Sequence, residues 1–523
     1  MKILNHPRSV GWAVATLLIA GWLTGCQTAK PVASSAVALT PLTTPEILTE
    51  EQARGELALL RKGLERLHPG YLRYATEEEI VTGWKRLDAV VEGGVELGTW
   101  YREISALLSR LGCEHSRAEL PDVLETQRQE KPSFLPFRFR LFGDRMFIAE
   151  AADGAGLLRG DEVIALDGRP VREVLDALRP FVPIDGVRTR ELENASLEDD
   201  GDFLGSTFEQ FYPLVFSSSP KVRVQLAGTA GVREFHKVTY EDWLALAGPE
   251  ARRFLNFKDA VTARDLDRGT AYLAVDTFVN YRDPVDPLTL LVPHFRRWNG
   301  EGKKRLIVDL RNNGGGSTDA MFALATLLVD GAFTVTSEAY IAQRDPGLDL
   351  LPFLSTWETR ALKPKRFSLA RAGEGRWRLR HRVLDTGRRE WQPHEDHFRG
   401  EVIVLTSRFN ASGTTTLHTL LKDNGFARLV GERTGGNVSG VTAGVLLYLN
   451  LPVSDITVRL PRLLQTLELR HPERFEPDRG IEPDALVEST LEGFLARKDE
   501  ILEAARALPP ESGAMGGSDR GAE

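Results

Sequence analysis

Cysteine is scarce in this chain, with two in 523 residues, so at most one disulfide could form. The sequence also lacks a long Lys/Arg run and any stripe interleaving aromatic with basic residues, and its net charge is −8. A phosphate backbone would need such features, so nucleic acid is not expected as a partner. Metal-ligand patterning is missing too: His394 and His397 in H-E-D-H have no third ligand in view, so no metal and no cofactor are expected. The near-fingerprint G154-A-G-L-L-R-G160 has its third glycine displaced by one and leads into a strand, which argues against a dinucleotide site. What remains is ordinary globular material, 42% apolar and 27% charged, enough for about three domains.

Only one stretch addresses a membrane. Lys2 and Arg8 precede the apolar run V10-G-W-A-V-A-T-L-L-I-A-G-W-L23, which is short for a span and reads as a secretory signal. It ends in L-T-G-C, which resembles a bacterial lipobox with Cys26 as the lipidated residue. Lipidation would consume Cys26 and leave Cys113 alone, so no disulfide is expected. Several acyl chains would hold the protein to its membrane far better than one. Gln27 after the lipid cysteine leans toward the outer membrane and its periplasmic side. Residues 27–45 are small and Pro-broken, a flexible tether of about 25 Å r.m.s. reach.

Helices follow. Thr49 with Gln52 forms a capping box, and Ala53, Leu57, Leu60, Leu64 and Leu67 make one apolar stripe that His68-Pro69-Gly70 stops. Tyr101, Ile104, Leu107, Leu108 and Leu111 form a second stripe, with Gly112 as a left-handed cap and His115 three residues beyond it. From Pro132 to about Val238 the pattern turns to short strands, at 137–142, 146–149 and 161–166, with a short helix at 171–178. The last large block alternates apolar strands (272–278, 305–310, 401–406 and 427–430) with helices, which predicts a mainly parallel sheet covered on both faces. Sites in such sheets lie at the carboxyl ends of the strands.

Two strand-to-helix turns fall at such ends. R408-F-N-A-S412 puts a hydroxyl at a helix start, where Gly413 has an unpaired backbone N–H, and N312-N-G-G-G316 allows a substrate carbonyl to approach the backbone closely. Each has a plain alternative, a helix cap or a simple turn.

Together with their surroundings, these turns resemble the carboxy-terminal processing (tail-specific) serine proteases and their tricorn-core and retinoid-binding relatives. The matching stretches are D309-L-R-N-N-G-G-G316, R408-F-N-A-S412, D423-N-G-F-A-R-L-V-G-E432 and G480-I-E-P-D484, with a PDZ-like segment at G156-L-L-R-G-D-E-V-I-A-L-D-G-R-P-V171. The resemblance implies an α/β chain with a helical domain at 46–125, a PDZ-like β-rich domain at 126–245 and a crotonase-like, mainly parallel core at 246–505. Residues 1–26 would be the signal peptide and 506–523 a disordered tail. It further implies Ser412 as nucleophile, and the N–H groups of Gly413 and of Gly315 or Gly316 as an oxyanion hole.

The chain departs from the best-known branch, whose lysine base falls 25 residues after the serine, because that position here is Asn437. Lys422 would lie about 15 Å along the helix from Ser412, and His418 points off its far side. His115 resembles the histidine that the tricorn-type branch supplies from its helical domain, and Glu476, with Asp478 as alternative, would orient it. The expectation is a membrane-anchored extracytoplasmic serine endopeptidase acting on peptides or unfolded protein, with activity rising between about pH 6 and 8. The alternative is an inactive peptide- or lipophile-binding lipoprotein of the same fold.

Overall fold

The computed structural model describes residues 44–198, 206–216, 218–246, 255–373, 375–380 and 386–510. The signal segment with Cys26, the tether up to residue 43 and the chain beyond residue 510 lie outside the described residues. Among the described residues no helix is long and apolar enough to cross a membrane.

The amino-terminal region packs the helices Glu50–Leu67, Glu77–Val90 and Leu97–Ser109. Reciprocal capping boxes at Thr49/Gln52 and Thr76/Glu79 satisfy the first free N–H groups of the first two. All five residues of the first predicted stripe are buried, and the chain leaves the helix at His68 because Pro69 follows. The helix Glu77–Val90 went unread in the sequence. Its Ile80, Trp84 and Leu87 are buried, but they lie between four acidic residues that mask the period.

A β-rich insert follows. Its strands run in the order Phe137–Phe142, Arg145–Ala151, Glu162–Leu166, Lys221–Leu226 and Arg233–His236, all antiparallel. The helix Val171–Leu178 buries Val171, Val174, Leu175 and Leu178 against it.

The core sheet orders its strands Val261–Asp265, Thr270–Val275, Arg305–Asp309, Glu401–Thr406, Arg428–Gly431 and Ala485–Leu486, parallel except for the first. Alternation of side chains divides it cleanly. Leu273, Val308, Val404 and Leu429 face a core with the helices Pro287–Gly300, Thr318–Leu328 and Ser412–Asp423. Ile307, Ile403, Leu405 and Val430 face Ile501 and Ala505 of the helix Glu500–Ala507. That helix and the next residues lie against the sheet: Arg305 donates to the Leu508 carbonyl at 2.9 Å and Arg428 to that of Pro509 at 2.9 Å.

A second, antiparallel sheet of seven strands is built mainly on Thr442–Asn450 and Thr457–Leu467. The sequence hides it: burial alternates along Val445–Asn450, but the half-exposed alternate Leu446 is apolar, and in the partner strand Leu460–Leu464 is buried without a break. Pro461 also interrupts one strand, tolerated where the register shifts opposite Ala443 and Leu446. This sheet joins the helical region and the insert in one core: Leu449 and Leu460 are buried with Leu57, Leu64 and Phe137. Gly63 sits so close to Leu449 that a Cβ would come within 2.7 Å of its side chain.

Candidate active site

Ser412 is the first residue of its helix and has φ +49°, a left-handed conformation unusual for a residue with a Cβ. The turn is held by Asn410, which is fully buried. Its side-chain oxygen accepts the Ser407 N–H at 2.8 Å, and its amide donates to the carbonyls of Leu310 at 2.6 Å and Asn313 at 3.1 Å. Asn313, equally buried, donates to the Val275 carbonyl at 3.0 Å and accepts from the Gly315 N–H at 2.9 Å and the Thr414 hydroxyl at 2.6 Å. Two asparagines thus tie the glycine loop to the serine turn. The glycines are needed for the approach: a Cβ on Gly315 would lie 2.8 Å from the Ser412 Cβ, and one on Gly316 would lie 2.4 Å from the Phe278 backbone.

This arrangement separates the two candidate glycine donors. The Gly315 N–H is already given to Asn313. The N–H groups of Gly316 and Gly413 carry no acceptor among the described residues, although Gly316 is bridged to Phe278 through its neighbours. They are the two donors open to an incoming oxyanion.

His115 reaches this turn from the helical region. The strand Ala118–Glu119 pairs with Thr457 and Val458, and the Arg459 N–H donates to the Arg117 carbonyl at 2.8 Å, which stitches the histidine loop to the second sheet. The His115 Nε2 then lies 3.1 Å from the Ser412 Oγ. Burial, followed by the charges of Arg117 and Arg459, lowers its pKa to about 3, below the ordinary value on which an activity rise between pH 6 and 8 was expected. Its Nδ1 is buried with no hydrogen-bond partner among the described residues.

The two carboxylates expected to orient the ring are engaged elsewhere. Glu476 is exposed, and its carboxylate pairs with Arg433 at 3.3 Å and Arg479 at 3.4 Å. Asp478, itself at φ +60°, accepts the Tyr74 hydroxyl at 3.3 Å. The nearest acid to the ring is Glu114, with an oxygen 3.8 Å from Nε2. Asn437 is buried and donates to Tyr74 at 3.0 Å. Lys422 pairs with Asp484 at 3.0 Å, and His418 is fully buried with neither ring nitrogen partnered among the described residues. Among the described residues no group of three His, Cys, Asp or Glu is arranged to hold a metal.

Three neighbours of the site went unread in the sequence. Tyr74 links Asn437 to Asp478. His68, taken only as a helix stop, meets Ser116 beneath the His115 loop. Asp185 comes from the insert and is buried, and burial and then the Glu114 charge push its pKa well above the ordinary carboxylate value. Nothing in its local sequence distinguishes it from a loop aspartate.

Residues 269–485 match the family model described as Peptidase family S41. No curated protein matches the chain. Among solved structures, mature CPAF complexed with lactacystin is similar with a TM-score of 0.59 at 16% identity, over 87% of this chain and 98% of that one. Mature CPAF alone gives 0.57 at 16% identity, over 87% and 96%. The photosystem II D1 C-terminal processing protease gives 0.40 at 16% identity, over 85% and 96%. The likeness to CPAF is one of fold.

Proposed function

We propose that this serine peptidase, whose residues 269–485 form its Peptidase family S41 domain, uses Ser412 as nucleophile and His115 as general base. The observation that carries the reading is the 3.1 Å separation of the His115 Nε2 and the Ser412 Oγ. As Ser412 Oγ bonds to a peptide carbonyl carbon, its proton passes to Nε2 and the carbonyl electrons move onto oxygen, toward the N–H groups of Gly413 and Gly316. The imidazolium then protonates the departing amine, and a water molecule repeats the sequence to release the acyl group. Removing one oxyanion donor in such sites typically costs about 10²- to 10³-fold in rate.

The substrate class that fits is peptide or unfolded protein. The lipobox-like ending at Cys26 supports a further part of the proposal, that the protein is lipid-anchored on the periplasmic side of a bacterial membrane.

A fluorophosphonate probe tests the chemistry, because it reacts only with an activated serine. Wild type should be labelled at Ser412, while Ser412→Ala and His115→Ala should lose labelling and peptide hydrolysis yet keep their melting temperatures. Undiminished hydrolysis in His115→Ala would remove the base assignment. A wild-type protein that is folded but unlabelled would favour a binding function.

A further inference from the structure

An imidazole that serves as base is usually aimed by an acceptor on its other nitrogen. In this chain the His115 Nδ1 has none among the described residues, and Glu476 is turned toward Arg433 and Arg479. The direction of the ring must therefore be set by the turn that carries it, Cys113 to Ser116.

That turn rests on a buried chain of hydrogen bonds. The Gly70 N–H donates to the His68 Nδ1 at 3.1 Å, which puts the His68 proton on Nε2. Nε2 lies 2.8 Å from the Ser116 Oγ and so donates to it. At the other end of the turn, the Cys113 Sγ–H faces the Thr442 carbonyl at 3.6 Å. The Ser116 N–H closes the turn onto the Cys113 carbonyl at 3.1 Å. His68, Cys113 and Ser116 are each at most 2% exposed, so water cannot replace a missing partner cheaply. Burial also lowers the His68 pKa to about 4, which keeps the ring neutral and its Nδ1 able to accept near neutral pH.

We propose that His68 and Ser116 are positioning residues for the hydrolytic reaction: their hydrogen bond locks the Cys113–Ser116 turn and thereby aims the His115 imidazole at Ser412, in place of an orienting carboxylate. The proposal rests on the reading of His115 as base. It assigns a role to a histidine 47 positions upstream that does not touch the reacting atoms.

The test uses the full chain with Ser116→Ala, His68→Phe, the double variant and His115→Ala. Peptide kcat and KM, the rate constant for fluorophosphonate labelling and the final labelled fraction are measured for each. A displaced base costs turnover, not binding, so each single variant should lower kcat and the labelling rate by about ten- to a hundredfold. KM and the final labelled fraction should stay at wild-type values, whereas a merely structural defect would lower the labelled fraction. Because both residues act through one bond, the double variant should be no slower than the slower single variant. Unchanged rates in Ser116→Ala, or losses that multiply in the double variant, would overturn the positioning role while His115→Ala stays inactive. Activity in His115→Ala would overturn the base reading and this proposal with it.

Discussion

At the scale of single residues, the site combines a serine held in a left-handed conformation with a histidine held neutral. Burial and the charges of Arg117 and Arg459 lower the His115 pKa to about 3. A base is competent in its neutral form, so lowering the pKa extends activity toward acid. The acid limb of kcat/KM should therefore fall well below pH 6. Arg459→Gln should move it upward, because one of the opposing positive charges is gone. A pH profile of wild type and variant checks this, and a wild-type limb centred near 6.5 would contradict it. The same low basicity makes the aim of the ring more demanding, since a weak base has less driving force with which to offset poor geometry.

At the scale of elements, three strand ends, at Val275, Leu310 and Ser407, are fastened by Asn313 and Asn410. The motif stretches D-L-R-N-N-G-G-G and R-F-N-A-S were legible as turns at strand ends, but the division of labour within them was not. Which glycine N–H stays open depends on the Asn313 side chain, which takes the Gly315 donor and leaves Gly316. Asn313→Ala would leave the Gly315 N–H, the Val275 carbonyl and the Thr414 hydroxyl without their partner. Loss of stability by about 2–4 kcal/mol is expected from such buried groups. A fall in kcat of about 10²-fold should accompany it as the oxyanion donor shifts. Urea unfolding and steady-state kinetics measure the two. A variant with wild-type kcat would separate the glycine loop from catalysis.

At the scale of the whole molecule, the core sheet holds Ser412, and the proposed base lies outside it. His115 depends on the helical region, and that region shares one apolar core with the insert and the antiparallel sheet. A fragment spanning 255–510 would expose Leu447, Leu449, Val458 and Leu460, each worth about 1.5–3 kcal/mol when fully buried. It is expected to aggregate and to hydrolyse nothing, whereas residues 44–510 should stay soluble and active; size-exclusion chromatography with a peptide assay distinguishes them. A soluble, active fragment would show that the base lies within the core. The proposed anchor belongs to this scale too: Cys26→Ala should move the protein from the membrane pellet to the soluble fraction on cell fractionation, and retention in the pellet would count against lipid attachment.

The sequence by itself determined what local patterns and short spacings encode. These are the first capping box and apolar stripe, the buried parallel strands with their covering helices, and the serine and glycine turns at strand ends. It also marked a missing base, because Asn437 stands at a countable distance from Ser412. The antiparallel sheet stayed hidden because apolar Leu446 on the half-exposed face and the unbroken burial of Leu460–Leu464 blur its alternation. Only the tertiary structure decided that His115 meets Ser412 across 297 residues, that Glu476 turns away toward arginines, and that His68 lies under the histidine loop. Each of these is a contact between side chains far apart in the chain. Its existence depends on how the helical region, the insert and the two large sheets close against one another, which no single stretch of residues records.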